Sequence, residues 1–464
     1  MSETVISSPG NFLIDPSGFR GRIGVGQTDI DPPEGIYSRN WGAAADDTAL
    51  GIHRPLKLTC ISFEPLQGGK PLVLISADLG IWKIAAEERE FRAAVLDALS
   101  LEEAQLMFCL SHTHAGPSIS LADASMPGGQ YIAAYREELC QRAVAIARTA
   151  LSMATAATLT WYYSKCDLAA NRDLPKPGTH KLSVGFNPGQ PADDTLLTGR
   201  IVNDRGDIMA VIVNYACHPT TLAWDNRLIS PDYIGAMREV VEHHTQAPCL
   251  FLQGASGELA PAEQYTGAVD IAERHGRRLG YCALAALEAM LPPETKLSFS
   301  HVVESGAPLG IWEYKAQAFS SALSFLQIDI PLLLKDMPSL AVLEQQWSSC
   351  PDRVLKERLW RKMGVRKTVG NGDTGKTHLW IWRLGNSFLI GQPNEAYSIF
   401  QLELRRGLMP NAVAAINLVN GSAGYLPPRE LYDQENYTVE QTPFARGSLE
   451  LLIEVALSNA ATLL

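Results

Sequence analysis

Ten histidines are spread over 464 residues, and two of them, His112 and His114, stand one residue apart directly after the apolar run 106–110. If the backbone stays extended there, both imidazoles project from one face, because side chains along a strand alternate with period two. Such a pair suits two metal ligands, or one ligand and a partner that orients it. Two surface histidines in a loop would show the same spacing. Ala115-Gly116-Pro117 then turns the chain, as at the rim of a site. His218 closes a second apolar run, 208–215, and Pro219 after it biases its backbone to an extended form. Alone it reads as a core histidine with a hydrogen-bond partner, since an unpaired buried imidazole is costly. Its further meaning comes only in combination with the other two. Glu395 follows a third run, 388–391, near the expected start of a helix whose dipole favours a carboxylate. Carboxylate oxygen also completes histidine-rich zinc sites.

Four other features carry less. Tyr425 lies in the glycine-rich stretch NGSAGYLPP (420–428), which by itself signals only a turn. Glu242-His243-His244 ends a polar helical pattern and is expected to face solvent. GNGDTGKT (370–377) fits the letters of a phosphate loop, but such a loop joins a buried strand to a helix. Here a basic stretch, 361–369, precedes it, and 379–390 alternates like a hairpin around Gly385-Asn386, so a polar turn between strands is the better reading. Ser256, in GASGE, lacks the full frame of a nucleophile elbow.

The elements that must position these residues follow from hydrophobic patterning. Short runs at 71–77, 106–110, 208–215, 249–253, 388–391 and 413–419 read as buried strands. Helical spacing marks 85–99, 130–153, 232–244, 269–290, 394–407 and 447–463. Strands alternating with helices indicate an α/β fold, a mixed β-sheet core flanked by helices. Most strand runs end in polar, reactive residues, and in α/β sheets ligands bind outside the carboxyl ends of strands. Five such ends could meet in one pocket. Residues 1–20 read as a loose arm before a domain at 21–464, within which 320–372 is an insertion or lid.

Composition narrows the function. With 46% hydrophobic and 19% charged residues the chain is an ordinary globular protein. A net charge of −11 and the lack of a basic run argue against nucleic acid as a partner. The eight cysteines are scattered without a C-x-x-C pair, and the N-terminus has no signal-peptide pattern, so a cytoplasmic location is expected. No apolar stretch reaches the ~18 residues of a transmembrane segment.

Several of these segments resemble one family. SHTHAGPS (111–118) resembles the T-H-T-H-S-G-P segment of neutral, or alkaline non-lysosomal, ceramidases, and NYACHPTT (214–221) is similar to their N-W-x-x-x-H-P-T-S segment. Asn171-Arg172 resembles the N-R-S segment between those two, with Asp173 in place of the serine. GSAGYLPPRELYDQENY (421–437) resembles their Y-x-x-Y-V-T-T-x-E-E-Y-x-x-Q-x-Y segment, and Ser76-Ala77-Asp78 and GVGQTD (24–29) look like earlier blocks. The resemblance implies the α/β fold of the family's catalytic domain, without its C-terminal β-sandwich. It places zinc ligands at His112, His218, Glu395 and Tyr425. It also implies a second active-site histidine at His114, a substrate-contacting arginine at Arg172, and a tyrosine near the scissile amide at Tyr437. One loop departs: where the family has G-D-x-S-P-N this chain reads Gly257-Glu258-Leu259-Ala260-Pro261-Ala262, so Ala260 replaces a serine. The implied activity is zinc-dependent hydrolysis of the N-acyl amide bond of ceramide or a ceramide-like lipid by zinc-bound hydroxide. Action on a smaller amide, lactam or ester, and a silent ligand-binding relative, stay open, as does a homo-oligomeric state.

Overall fold

The computed structural model describes residues 13–14 and 16–464. Its largest sheet has eight strands: β1 (Gly18–Asp29), β2 (Lys57–Glu64), β3 (Leu72–Ala77), β4 (Leu106–Leu110), β5 (Thr155–Lys165), β6 (Thr195–Asn203), β7 (Ile208–Tyr215) and β8 (Cys249–Gln253). They run in the order β8-β7-β6-β5-β1-β2-β3-β4. Only the edge pairs β3–β4 and β7–β8 are parallel. A second sheet, β9 (Leu323–Leu333), β10 (Thr374–Leu384), β11 (Ser387–Gly391) and β12 (Ala412–Ile416), is antiparallel except for β11–β12.

Each parallel pair needs a crossover, and in each a helix supplies it. These are α1 (Ala85–Leu99) between β3 and β4, α3 (Tyr233–Thr245) between β7 and β8, and α7 (Ile399–Gly407) between β11 and β12. The other long helices are α2 (Ile132–Ser152), α4 (Val269–Ala289), α5 (Leu340–Ser349), α6 (Arg353–Val369) and α8 (Ser448–Ala461).

Four layers result. The inner face of the large sheet packs Ile61, Leu74, Met107 and Leu252 against Trp380, Trp382, Leu389 and Ala414 of the second sheet. Its outer face is covered by α1 and α2 at one end and by α3 and α4 at the other. The far face of the second sheet carries α7 and α8. Glycines let α2 lie close to β1: a Cβ at Gly24 would sit 1.8 Å from the Ala150 carbonyl oxygen, and one at Gly26 2.5 Å from that of Ile146.

Several sequence expectations change. The helix expected at 394–407 begins only at Ile399, and residues 395–396 form a short strand instead. The last strand run stops at Ile416, because Leu418 and Asn420 take positive φ and leave the sheet. The GNGDTGKT turn joins α6 to β10 rather than two strands; the basic stretch before it is helical. The segment 320–372 contributes β9 to a sheet before it forms α5 and α6. Residues 1–12 of the expected arm lie outside the described residues, and β1 starts within its range, at Gly18. No helix among the described residues is long and apolar enough to cross a membrane.

Candidate metal centre

His112 sits two residues beyond the end of β4. Its amide bonds the Leu79 carbonyl at 2.9 Å, and its φ is +70°, a left-handed conformation that side chains rarely adopt. The backbone is therefore not extended through His112-Thr113-His114, as alternation required. The two imidazoles still meet, with ring centroids 4.8 Å apart. The convergence comes from a bend rather than from strand alternation.

His112 Nδ1 lies 2.9 Å from the Gly80 carbonyl oxygen, and His218 Nδ1 lies 2.6 Å from that of Ser256. A carbonyl can only accept, so both Nδ1 atoms donate, and each neutral ring turns an Nε2 lone pair inward. Those two Nε2 atoms lie 3.2 and 3.0 Å from the same atom, Glu395 Oε2. Three acceptors face one another with no proton between them, unless an imidazole takes a second proton. For His218 that is disfavoured: burial first, then the charge of Arg172, pushes its pKa down to about 3. Burial pushes the Glu395 carboxyl up, but the charge and hydrogen bonding of His112 and His218, which an imidazole supplies only when its Nε2 carries a proton, outweigh it and hold the carboxyl well below its usual range. Two imidazole nitrogens and a carboxylate oxygen that can share either a proton or a cation fit a divalent metal.

Glu395 owes its position to pairing rather than to a helix dipole. Residues Glu395–Ala396 form a two-residue parallel strand with Tyr425–Leu426, in which Glu395 stands opposite Tyr425. The Tyr425 phenol is buried, which raises its pKa well above 10, and its hydroxyl accepts a bond from Arg172 Nη2 at 3.2 Å. Arg172 Nη2 also donates to the Gly257 carbonyl at 2.7 Å and lies 3.2 Å from His218 Nε2, which can accept from it. The short strand before Arg172, Ala169–Asn171, pairs with Leu259–Pro261, where Ala260 stands buried opposite Ala170.

His114 has a buried Nε2 with no hydrogen-bond partner. Its pKa is pushed well down, first by burial and then by His112 and His218. One donor atom from each of His112, His114 and His218 lies within 4.8 Å of the others, so His114 can serve as a third nitrogen ligand. Tyr437 completes the group, its ring 5.8 Å from that of Tyr425. All seven residues singled out in the sequence thus meet around one cavity of about 550 Å³, except that His218 stands behind its lining.

Two solved structures match the chain over 97% of its length and 75% of theirs. One is a ceramidase complexed with C2, at a TM-score of 0.68 and 16% identity; the other is the neutral ceramidase from Pseudomonas aeruginosa, at 0.65 and 17%. The chain has the neutral ceramidase catalytic fold. No protein-family model and no curated sequence matches it.

Within this ceramidase-like frame, sequence reasoning passed over several residues. Arg361 was absorbed into a basic stretch, yet α6 aims it at the site: it donates to the Tyr437 hydroxyl at 3.2 Å and to the Asn40 carbonyl at 2.7 Å. Its signal was helical spacing, since Val354, Arg358, Arg361, Val365 and Thr368 recur every three or four residues on the cavity face. Trp41, Trp224 and Tyr265 form an aromatic wall, with Trp41 5.1 Å from the His114 ring. No local pattern announces that wall. Glu242-His243-His244 does end a helix, with both histidines exposed.

Proposed function

We propose that the chain is a zinc-dependent amide hydrolase that cleaves an N-acyl substrate in this cavity. The observation that carries the reading is the convergence of His112 Nε2, His218 Nε2 and Glu395 Oε2, with both imidazoles anchored through Nδ1 to backbone carbonyls. Backbone acceptors of this kind fix the tautomer of ligating histidines and raise their basicity. His112, His218, Glu395 and Tyr425 would hold the ion. Bound zinc supplies a water acidified to about pKa 7 and a Lewis acid for the carbonyl.

The chain's own residues divide the remaining work. His114 would act beside the ion as a proton shuttle or as support for its ligands, through a buried Nε2 that no other group engages. Arg172 holds the Tyr425 hydroxyl and presents positive charge where the oxyanion develops. Tyr437, fixed through its hydroxyl by Arg361, orients the amide. Trp41, Ile81, Trp82 and Val365 give the cavity an apolar lining for the acyl chain. Helix α6, whose residues line the cavity, acts as the lid that excludes water. A cytoplasmic setting suits the mostly buried cysteines.

The test is metal content and hydrolysis of N-acyl amides for the wild type, His112→Ala and His218→Ala. The wild type should bind zinc and turn over, and both variants should lose zinc and activity together. Variants that keep the metal and full activity would sink the reading.

A further inference from the structure

The chain carries a net charge of −11, yet its catalytic cavity runs against that sign. Five lysines and arginines line it (Lys83, Arg172, Arg358, Arg361 and Lys367) against two carboxylates, Glu357 and Glu395. Glu395 is taken by the histidines, Lys83 is paired with Asp123 at 2.6 Å, and Arg361 is paired with Glu357 at 3.3 Å, which leaves the positive excess on Arg172, Arg358 and Lys367. Arg358 and Lys367 have no ion-pair partner among the described residues, and both stand on α6 with Arg361. A bound divalent ion would add to this positive excess. A cleft of one sign raises the local concentration of ligands of the other.

Arg361 is the α6 cation that reaches Tyr437. Its Nε donates to Glu357 at 3.3 Å, one Nη to Tyr437 and the other to the Asn40 carbonyl, which engages three donors. A guanidinium has about five N–H donors, so each terminal nitrogen keeps one to offer. A carboxylate can accept from such remaining guanidinium N–H groups. Tyr437, the tyrosine proposed to orient the amide, is the residue Arg361 holds. An anion on Arg361 would therefore lie within a few bonds of the scissile C–N bond.

We propose that the substrate carries a carboxylate on the amine side of its amide, so that the enzyme takes N-acyl amino acids rather than uncharged N-acyl amino alcohols. The proposal rests on the amide-hydrolase reading of the same site. Water adds across the C–N bond, the acyl carbon leaves as a carboxylic acid, and the nitrogen leaves as the amine of a free amino acid. Arg361 binds the amino acid's carboxylate throughout, and Arg358 and Lys367 attract it from the mouth.

The test compares N-lauroylglycine with N-lauroylethanolamine, which share the acyl chain and differ in carboxylate against hydroxymethyl. In the zinc-loaded wild type, kcat/KM should favour N-lauroylglycine at least tenfold. Arg361→Gln should cut that preference roughly ten- to hundredfold, the range for a hydrogen bond to a charged group, and Arg361→Lys should restore part of it. Equal turnover of both compounds by the wild type, or the same loss on both in Arg361→Gln, would overturn the proposal. If neither compound is hydrolysed, the amide-hydrolase reading fails on its own. Calorimetric binding then decides: tighter binding of N-lauroylglycine that disappears in Arg361→Gln sustains the anion site, and equal affinities overturn it.

Discussion

Replacing Glu395 by Gln tests the metal centre through stability rather than activity, and the metal-free and zinc-loaded proteins should respond differently. Without metal, and at a pH where both imidazoles are neutral, the wild type holds a buried carboxylate oxygen 3.2 and 3.0 Å from two imidazole lone pairs. A carboxamide of the same shape can instead donate an N–H to one of them. That replaces an acceptor clash with a hydrogen bond, so the metal-free variant should gain roughly 1–3 kcal/mol. With zinc a thousandfold above its dissociation constant, binding stabilises the wild type by about 4 kcal/mol. Losing an anionic ligand should weaken binding about a hundredfold, the upper end for ligand-supporting groups. The remaining tenfold excess then stabilises by only ~1.4 kcal/mol. Unfolding entropy is about 2.1 cal/mol/K per residue, which over 464 residues gives roughly 1 kcal/mol/K. The zinc-induced rise in Tm should therefore shrink from about 4 °C in the wild type to between 1 and 2 °C, roughly, in the variant. Thermal unfolding with a chelator and with added zinc reads both numbers. A variant that is less stable in chelator yet keeps the whole zinc increment would refute the reasoning.

Two further outcomes follow from buried charge. Burial raises the Glu258 carboxyl from 4.5 to about 7, against the bonds it accepts from Ser398. Between those values the folded state keeps a proton that the unfolded state has lost, so stability falls as pH rises from 4.5 to 7, by roughly 3 kcal/mol. Glu258→Gln cannot lose that proton, and urea unfolding at pH 5 and pH 8 should show the variant gaining on the wild type at the higher pH; a difference independent of pH would count against this. Asp78 accepts two bonds from Arg238 at 2.7 and 2.8 Å and one from the Lys57 amide at 2.9 Å, all in the interior. Asp78→Ala should cost about 3–5 kcal/mol by stranding the Arg238 charge, and a loss under 1 kcal/mol in denaturant titration would mean that Arg238 reaches water.

What the sequence displays depends on how each strand is buried. Runs 106–110, 208–215 and 249–253 coincide with β4, β7 and β8, and 85–99 with α1, because strands of the parallel edge pairs are apolar throughout. The antiparallel centre of the sheet was missed. Strand β1, GFRGRIGVGQTD, carries glycines where α2 presses on it and polar residues between, so it shows no apolar run. Strand β9 hid in a segment whose charge drew attention to a lid. The histidines were found by spacing, but the geometry behind the spacing was not legible. The positive φ of His112 depends on Leu79 and Gly80, some thirty residues away, and Glu395 is placed by Tyr425, about thirty residues downstream. Contacts of that range leave no periodic trace.

The same contacts explain why the proposed ligands, from three distant segments, meet in one place. The last register pairs of the three parallel units are Ala77 with Leu110, Tyr215 with Gln253, and Gly391 with Ile416. His112, His218 and Glu395 each follow one of those pairs by a few residues. The chain leaving β12 ties the three ends together: the Asn417 amide bonds the Gln253 carbonyl at 2.9 Å, Val419 bridges Cys109, and the Asn420 side chain bonds both Leu106 and Phe108. That segment also fills the gap between edge strands β4 and β8, whose unpaired groups would otherwise invite pairing with another chain. The three proposed ligands are therefore positioned by backbone bonds that do not pass through their own side chains. Substituting His112, His218 or Glu395 should alter metal affinity while leaving the scaffold folded, which is why the Glu395→Gln experiment can separate the ion's contribution from that of the fold.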